Sequence, residues 1–240
     1  MSGTCCVYEG AALRRVAGDT LHPGGLDLTT RALTLAELEP SSNILDLGCG
    51  SGASAALCWY TFGLDSMGLD LSEALLAEAH TRHPGLRLCR ATGVRLPFRE
   101  STLDAVLAEC VLALMPDPDA TFAEVQRVLR PAGSLIISDI YARIPEGIPL
   151  LRDMPINSCL RGALSRAGFE AILKRNGFRL ALWEDHTPAL TRMAASLILE
   201  YGSMDSFWQS TTGDSTSASV IPRALHRARP GYFLAIAERA

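Results

Sequence analysis

The chain has 240 residues, of which 48% are hydrophobic, so it can bury a sizeable core as one domain with an appendage. Its 22 Lys and Arg against 26 Asp and Glu residues give a net charge of −4 without a basic cluster, which argues against a nucleic-acid partner. The apolar runs are strand-sized and the first residues lack a basic start, so neither a membrane span nor a signal peptide is predicted.

The first predicted helix precedes the core. Leucines recur through residues 23–39, and Pro40 closes the segment, which predicts a helix there. We place it in an N-terminal arm, residues 1–40, that lies over the ligand site.

Strand-like runs and helical segments then alternate through residues 41–185. Strands are predicted at 44–47, 66–69, 86–90, 103–108 and 134–140, and helices at 53–60, 73–82 and 118–130. Ser72, Asp117 and Ser165 are predicted helix caps. The alternation predicts an α/β fold with a doubly wound, mostly parallel sheet that is covered on both faces.

The order changes after the fifth strand. Further strands are predicted at 178–183 and 232–237, the latter being the final antiparallel strand of residues 221–240. The insertion between them, residues 186–220, is predicted to contain a helix at 188–201 and a mobile loop at 203–219. Phe207 and Trp208 in that loop either close over a site or anchor the loop to the domain. The apolar residues of the insertion predict a lid or a dimer contact, in a monomer or a homodimer; they are Leu197, Ile198, Leu199, Phe207 and Trp208.

The strongest signal is Ile-Leu-Asp-Leu-Gly-Cys-Gly-Ser-Gly at 44–52, a buried strand that runs into alternating glycines. Gly48 and Gly50 remove side chains that would block a ligand, and Cys49 between them offers its backbone. The amides at the start of the next helix point at negative charge. Open α/β sheets bind ligands outside the carboxyl ends of their strands, so a ligand site is expected here.

Two cofactor classes use such a turn. A dinucleotide fingerprint reads Gly-x-Gly-x-x-Gly, whereas Gly52 comes one residue early and Asp46 precedes the turn. A carboxylate repels a pyrophosphate but accepts hydrogen bonds from an ammonium group, which favours S-adenosylmethionine over NAD. Asp70, followed by Leu71, ends the second strand, where its carboxylate can accept hydrogen bonds from both hydroxyls of a ribose.

Several motifs in order resemble the class I S-adenosylmethionine-dependent methyltransferases of the small-molecule type, over most of residues 40–185. Besides the glycine turn and Asp70, they are Leu-Pro-Phe at 96–98, Asp-Ala-Val at 104–106 and Arg-Val-Leu-Arg-Pro-Ala-Gly at 127–133. The resemblance implies the strand order 3-2-1-4-5-7-6 with the seventh strand antiparallel. It also implies that Thr92 and Gly93 face the adenine, and that Glu109 or Cys110 faces the methionine part of the cofactor.

The nearest look-alikes within this family are quinone C-methyltransferases and arsenite methyltransferases. Arsenite methyltransferases carry an element similar to Cys-Leu-Arg-Gly-Ala-Leu at 159–164, and its cysteine binds the metalloid. A trivalent metalloid takes about three thiolates, and Cys5 and Cys6 on the N-terminal arm are the partners considered for Cys159. Ala55 stands where those enzymes have another cysteine, so the alternative is that Cys159 is a small apolar filler.

The catalytic residue stays unassigned, with Cys159 and His22 as candidates. A sulfonium is already a good leaving group, so in-line positioning supplies most of the rate enhancement and need not leave a motif. His22, before Pro-Gly-Gly, is either a base or part of a turn. The five histidines show no ligand spacing, and no metal site is predicted.

These observations leave three functions open. The first is an S-adenosylmethionine-dependent methyltransferase with a small-molecule acceptor. The second is a thiol-dependent arsenite or metalloid methyltransferase. The third is a regulatory protein that binds the cofactor without catalysis. Thr92 and Ala132 favour this hypothesis because they depart from the family pattern. The odd number of cysteines, seven, and their positions in apolar segments predict reduced thiols in the cytoplasm. Neither a membrane nor a nucleic acid is an expected partner.

Overall fold

The computed structural model describes Tyr8, residues 11–212 and residues 217–240. A seven-stranded sheet runs through this part in the order β3-β2-β1-β4-β5-β7-β6. Its strands are β1 (Asn43–Leu47), β2 (Asp65–Asp70), β3 (Arg87–Arg90), β4 (Leu103–Glu109), β5 (Leu129–Ala142), β6 (Phe178–Asp185) and β7 (Pro230–Arg239). Strands β1 to β5 pair in parallel, and β7 is antiparallel to both of its neighbours. The predicted fold class is confirmed, including the strand order and the antiparallel last strand.

Helices cover both faces of the sheet. They are α1 (Ala11–Ala17), α2 (Gly25–Ala36), α3 (Ala53–Tyr60), α4 (Glu73–Arg82), α5 (Pro118–Val128), α6 (Ile148–Arg152), α7 (Arg166–Arg175), α8 (Thr187–Tyr201), α9 (Met204–Thr212) and α10 (Ser217–Ala228). Ser72, Asp117 and Ser165 each accept a hydrogen bond from a backbone amide three residues on, so α4, α5 and α7 begin where capping chemistry predicted.

The central strands divide the interior into two cores because successive side chains point to opposite faces. In β4, Ala105 and Leu107 pack in one core with residues of α2 and α10. Val106 and Ala108 pack in the other with residues of α5 and α7. Both faces of β4 are therefore buried, as its nearly continuous apolar sequence requires.

Two predicted helices end differently from their sequence boundaries. The helix predicted at 118–130 ends at Val128, and Leu129 already lies in β5 with extended φ and ψ angles. Pro131 disfavours a helical conformation at Arg130, which explains the early end. The helix predicted at 23–39 is shorter, Gly25–Ala36.

The predicted mobile loop at 203–219 is wrong for residues 204–212 and 217–219, which belong to α9 and α10. Ser203 lies in a bend before α9, and residues 213–216 lie outside the described part. The hydroxyls of Ser210 and Thr211 donate to the carbonyl oxygen of Phe207, so these polar residues are satisfied within a helix. Helix α10 also occupies residues up to Ala228, and the final strand begins only at Pro230.

The apolar residues of the insertion mostly face inward. Leu197, Phe207 and Trp208 are buried, whereas Ile198 and Leu199 are exposed. Phe207 and Trp208 belong to the main hydrophobic core and neither lines the large cavity, so the pair anchors this segment to the domain rather than closing over that cavity. No helix among the described residues is long and apolar enough to cross a membrane.

Candidate active site

A cavity of about 850 Å³ opens beyond the carboxyl ends of β1, β2 and β4. Every residue that the sequence proposed for cofactor binding lines it: Asp46, Gly48, Cys49, Gly50, Asp70, Leu71, Thr92, Gly93 and Glu109. Their convergence follows from the parallel order of the three strands, which brings the segments after them to one edge of the sheet. Their role in binding a cofactor stays a prediction.

The glycine turn presents bare backbone to the cavity. Gly48, Gly50 and Gly52 have φ angles of +76°, +52° and +82°, in the left-handed region that favours glycine. A Cβ atom on Gly48 would lie 2.4 Å from Cγ2 of Val111, whereas one on Gly50 would meet no atom within 4 Å. Gly48 is thus required by packing, and Gly50 leaves open space for a ligand.

Cys49 contributes its backbone to the turn. Its amide donates to the carbonyl oxygen of Leu69, at 3.0 Å. Its sulfur packs against Gly68, where a Cβ atom would lie only 2.7 Å from Sγ. Burial, together with the nearby Asp46 and Asp70 carboxylates, raises the pKa of the Cys49 thiol, so the thiol stays protonated.

Asp70 is held by two backbone amides. Gly50 donates to Oδ2 at 2.9 Å, and Ser72 donates to Oδ1 at 2.8 Å. A carboxylate has about four acceptor positions, so about two remain for the hydroxyls of a ribose. The same two hydrogen bonds join the glycine turn to the end of β2 and fix the direction of the carboxylate.

An apolar lip borders the cavity beyond Asp70. Leu71 and Val94 are 62% and 40% exposed, respectively, and both line the cavity beside Thr92. A Cβ atom on Gly93 would lie 3.0 Å from Sδ of Met115, so this glycine permits a close approach. A flat heterocycle fits between such apolar side chains, and Val94 and Met115 were not anticipated from the sequence.

Glu109 is buried at the other end of the cavity among polar donors. Thr29 Oγ1 donates to its Oε1 at 2.9 Å, and Ser54 Oγ donates to its Oε2 at 2.6 Å. His22 Nε2 lies 3.3 Å from the same Oε2. Burial raises the pKa of Glu109, but the His22 charge and these hydrogen bonds outweigh it and hold the pKa below its ordinary value.

Asp46 lies near the His22–Glu109 pair, and one of its carboxylate oxygens is free to accept a hydrogen bond. Its Oδ2 is buried and makes no hydrogen bond to any described residue. Burial, and then the charge of Glu109, raise the pKa of Asp46 well above its ordinary value. An ammonium group delivered to this end of the cavity would find two carboxyl groups, one ionised and one with a free oxygen.

The position of His22 bears on both alternatives that the sequence left open, a base or part of a turn. It lies in the turn before α2, where Gly24 and Gly25 have positive φ angles, and it also lines the cavity. Burial lowers the pKa of His22, but the Glu109 carboxylate outweighs burial and raises it from its ordinary value. The pairing with Glu109 favours the protonated form of His22, which argues against a role as a general base.

Cys159 is buried next to Cys110, a neighbour that the sequence did not suggest. The cysteines lie on two short 3-10 turns, Leu112–Leu114 with the preceding Cys110, and Cys159–Gly162. A Cβ atom on Gly162 would lie 1.8 Å from the carbonyl oxygen of Ala113, so only glycine lets these turns touch. Cys5 and Cys6, the proposed partners of Cys159, lie outside the described residues, and buried Ala55 offers no ligand.

Comparison with known proteins agrees with this geometry. Residues 45–137 match the family model of a methyltransferase domain. Over 151 residues the chain is 30% identical to an arsenite methyltransferase of Aquipseudomonas alcaligenes, covering 56% of this chain and 43% of that one. Over 117 residues it is 33% identical to a demethylmenaquinone methyltransferase of Beutenbergia cavernae, covering 48% of each. The chain thus spans less than half the length of these two relatives.

A solved structure shares the fold. Phosphoethanolamine N-methyltransferase 2 of Haemonchus contortus, in complex with S-adenosyl-L-methionine, superimposes with a TM-score of 0.71 at 18% identity, covering 95% of this chain and 56% of that one. The strand order, the glycine turn and the matched family model point the same way. Residues 45–137 are therefore similar to a methyltransferase domain, and the predicted resemblance to the class I S-adenosylmethionine-dependent methyltransferases is confirmed.

Proposed function

We propose that this protein transfers a methyl group from S-adenosylmethionine to a small-molecule acceptor. The observation that carries the proposal is the arrangement of one cavity between Asp70 at one end and the Glu109 and Asp46 carboxyl groups at the other, with bare glycine backbone between them. These groups suit a ribose, an ammonium group and the chain that joins them.

In this proposal each group of residues contacts a different part of the cofactor. Asp70 accepts hydrogen bonds from the ribose hydroxyls, and Leu71 and Val94 border the adenine. Glu109 and the free oxygen of Asp46 accept from the ammonium group. When bound, S-adenosylmethionine supplies a methyl group on a positively charged sulfur.

A third region of the cavity, which we call the acceptor end, is lined by Tyr8, Cys110 and Asn157, and we assign it to the methyl acceptor. The enclosing side chains exclude water and hold the acceptor in line with the methyl carbon, which is the main requirement of the reaction. We also propose a cytoplasmic location, in keeping with the free thiols of the described cysteines.

Calorimetric titration with S-adenosylmethionine and S-adenosylhomocysteine tests the cofactor assignment. Asp70→Ala removes two charge-assisted hydrogen bonds to the ribose, about 3 kcal/mol together, so we expect affinity to fall roughly 100-fold. Asp65→Ala is the matched control, because Asp65 lies at the opposite end of β2 and forms a surface ion pair with Arg87. Equal affinities in both variants and the unmodified protein would contradict the assignment.

A thiol-dependent methyltransferase for a trivalent metalloid is the second candidate, favoured by the contact between Cys110 and Cys159 beside the acceptor end. One of the relatives is named arsenite methyltransferase. If this function is correct, Cys110→Ser and Cys159→Ser each abolish arsenite binding, whereas Cys89→Ser on β3 leaves it unchanged. Retained arsenite binding in both thiol variants rules this candidate out. The third alternative, a regulatory protein, would be favoured by cofactor binding without turnover of any acceptor.

A further inference from the structure

Three buried potential metal ligands meet beside the cavity, although the histidine spacing predicted no metal site, and one of them, Cys110, lines it. They are Cys110 after β4, Asp139 near the end of β5, and Cys159 on its 3-10 turn. One ligand atom from each, the two sulfurs and a carboxylate oxygen, lies within 4.8 Å of the other two. All three residues are buried, at 5%, 3% and 5% exposure.

The surrounding residues hold these groups in place. The Asp139 carboxylate accepts from the amide of Ile140 at 2.7 Å and from the amide of Ala113 at 3.1 Å, which fixes its direction. Tyr232 Oη lies 3.2 Å from the sulfur of Cys110. The backbone amide of Cys159 donates to Tyr8 Oη at 3.3 Å. Hydrogen bonds from such neighbours orient metal ligands and strengthen binding.

The donor set matches one class of ion. Two thiolates and a carboxylate suit a zinc-class divalent cation, whereas magnesium and calcium take oxygen ligands only. Zinc–sulfur bonds of about 2.3 Å in a tetrahedral site place the two sulfurs about 3.8 Å apart. The distance between the two sulfurs therefore needs to shorten by no more than about 1 Å, which side-chain rotation can supply.

We propose that Cys110, Asp139 and Cys159 bind a zinc-class divalent cation, with the fourth coordination position open toward the acceptor end of the cavity. Binding is an exchange without redox chemistry: the cation replaces one proton on each thiol, and the released protons pass to solvent. Three protein ligands with an open position are the arrangement of zinc sites that admit a further ligand. Because Cys110 lines the cavity beside Tyr8 and Asn157, the bound cation competes with the methyl acceptor while leaving the cofactor end free.

Cadmium titration tests the site directly, because thiolate-to-cadmium charge transfer absorbs in the ultraviolet. The experiment uses the full chain with Cys5→Ser and Cys6→Ser, since vicinal thiols also bind soft cations. We expect one cadmium ion per chain, with the absorbance reduced by about half in Cys110→Ser and in Cys159→Ser because one of two thiolates is lost. Asp139→Asn keeps both sulfurs and is expected to weaken binding by roughly 10-fold or more. Cys89→Ser leaves both absorbance and affinity unchanged.

Binding of S-adenosylhomocysteine to each variant, with and without cadmium, completes the test. Retained binding shows that the variants fold, and equal affinity in the presence of cadmium supports a free cofactor end. Absence of the charge-transfer band, or a band unchanged in both thiol variants, overturns the site; displacement of S-adenosylhomocysteine overturns the placement. The placement beside the acceptor end rests on the proposed function, whereas the cation site itself does not, because cadmium binding is measured without cofactor or acceptor.

Discussion

Charge compensation at single residues governs the end of the cavity at Glu109. The side chains of His22, Asp46 and Glu109 are all buried there, and an unpaired charge at such depth is costly. The His22 and Glu109 charges stabilise each other, whereas burial and the charge of Glu109 disfavour the ionised form of Asp46 and raise its pKa. The carboxyl groups of Glu109 and Asp46 thus lie where an incoming ammonium group can contact both of them.

This pairing predicts a pH-dependent stability. Because the folded-state pKa of His22 is raised, its contribution is present below its unfolded value of about 6.5 and is lost as pH rises through the folded value. The contribution of Glu109 is lost only as pH falls through its lowered pKa. We expect His22→Asn to reduce the free energy of unfolding by about 3 kcal/mol near pH 6, with the deficit narrowing as pH rises through the raised folded-state pKa of His22.

Urea denaturation of the cofactor-free protein across this pH range measures the deficit. His80→Asn is a suitable control, because His80 is exposed on α4 and contacts neither carboxylate. A deficit that is the same at every pH would show that His22 acts by packing rather than by charge.

Among the elements, the connection from β1 to α3 is the most constrained. Its glycines serve different purposes: Gly48 accommodates the neighbouring Val111 side chain, whereas Gly50 faces open space in the cavity. Both adopt left-handed φ angles, so any other residue at either position carries backbone strain of about 1 kcal/mol.

The two glycines should therefore respond differently to the same substitution. Gly48→Ala forces a methyl group against Val111, and we expect loss of several kcal/mol of stability, because overpacking adds to the strain. Gly50→Ala costs only about 1 kcal/mol, yet its methyl group occupies space in the cavity and weakens cofactor binding. Thermal denaturation and calorimetry on both variants separate the effects; a Gly50→Ala protein with unchanged cofactor affinity would contradict the placement of the ligand.

At the scale of the whole molecule, the insertion is part of the main core. Phe207 and Leu197 belong to the same hydrophobic core as β1, β4 and β5. The Tyr201 hydroxyl donates to the carbonyl oxygen of Ala12, which joins α8 to α1 of the N-terminal arm. The arm and the insertion therefore form one layer, and the arm continues from this layer to His22 at the cavity.

Truncation of Phe207 tests this integration. Phe207 is 1% exposed, so Phe207→Ala should destabilise the protein by about 3 to 5 kcal/mol in a single cooperative transition. Leu199→Ala is the matched control on the same layer; Leu199 is 87% exposed, and its truncation should change stability by less than about 0.5 kcal/mol. An early, separate unfolding transition in Phe207→Ala would instead show that the insertion folds independently.

The local features of this protein were readable from its sequence. Strand alternation, the caps at Ser72, Asp117 and Ser165, and the glycine turn all depend on residues adjacent along the chain. Short-range backbone geometry and hydrogen bonding determine such features, so the sheet and the cofactor end of the cavity could be anticipated. Helix α9 could not be anticipated, because its Ser and Thr residues are typical of a loop. What stabilises it is the burial of Phe207 and Trp208, which depends on packing against distant parts of the core.

Only the tertiary structure decided which distant side chains share a site. Thr29, Ser54 and His22 surround Glu109 because α2, α3 and the arm pack against the end of β4. Cys110 and Cys159 meet because Gly162 allows two turns, far apart in the chain, to touch. Nothing in the residues adjacent to these side chains encodes such contacts, since they are set by the packing of whole elements against one another.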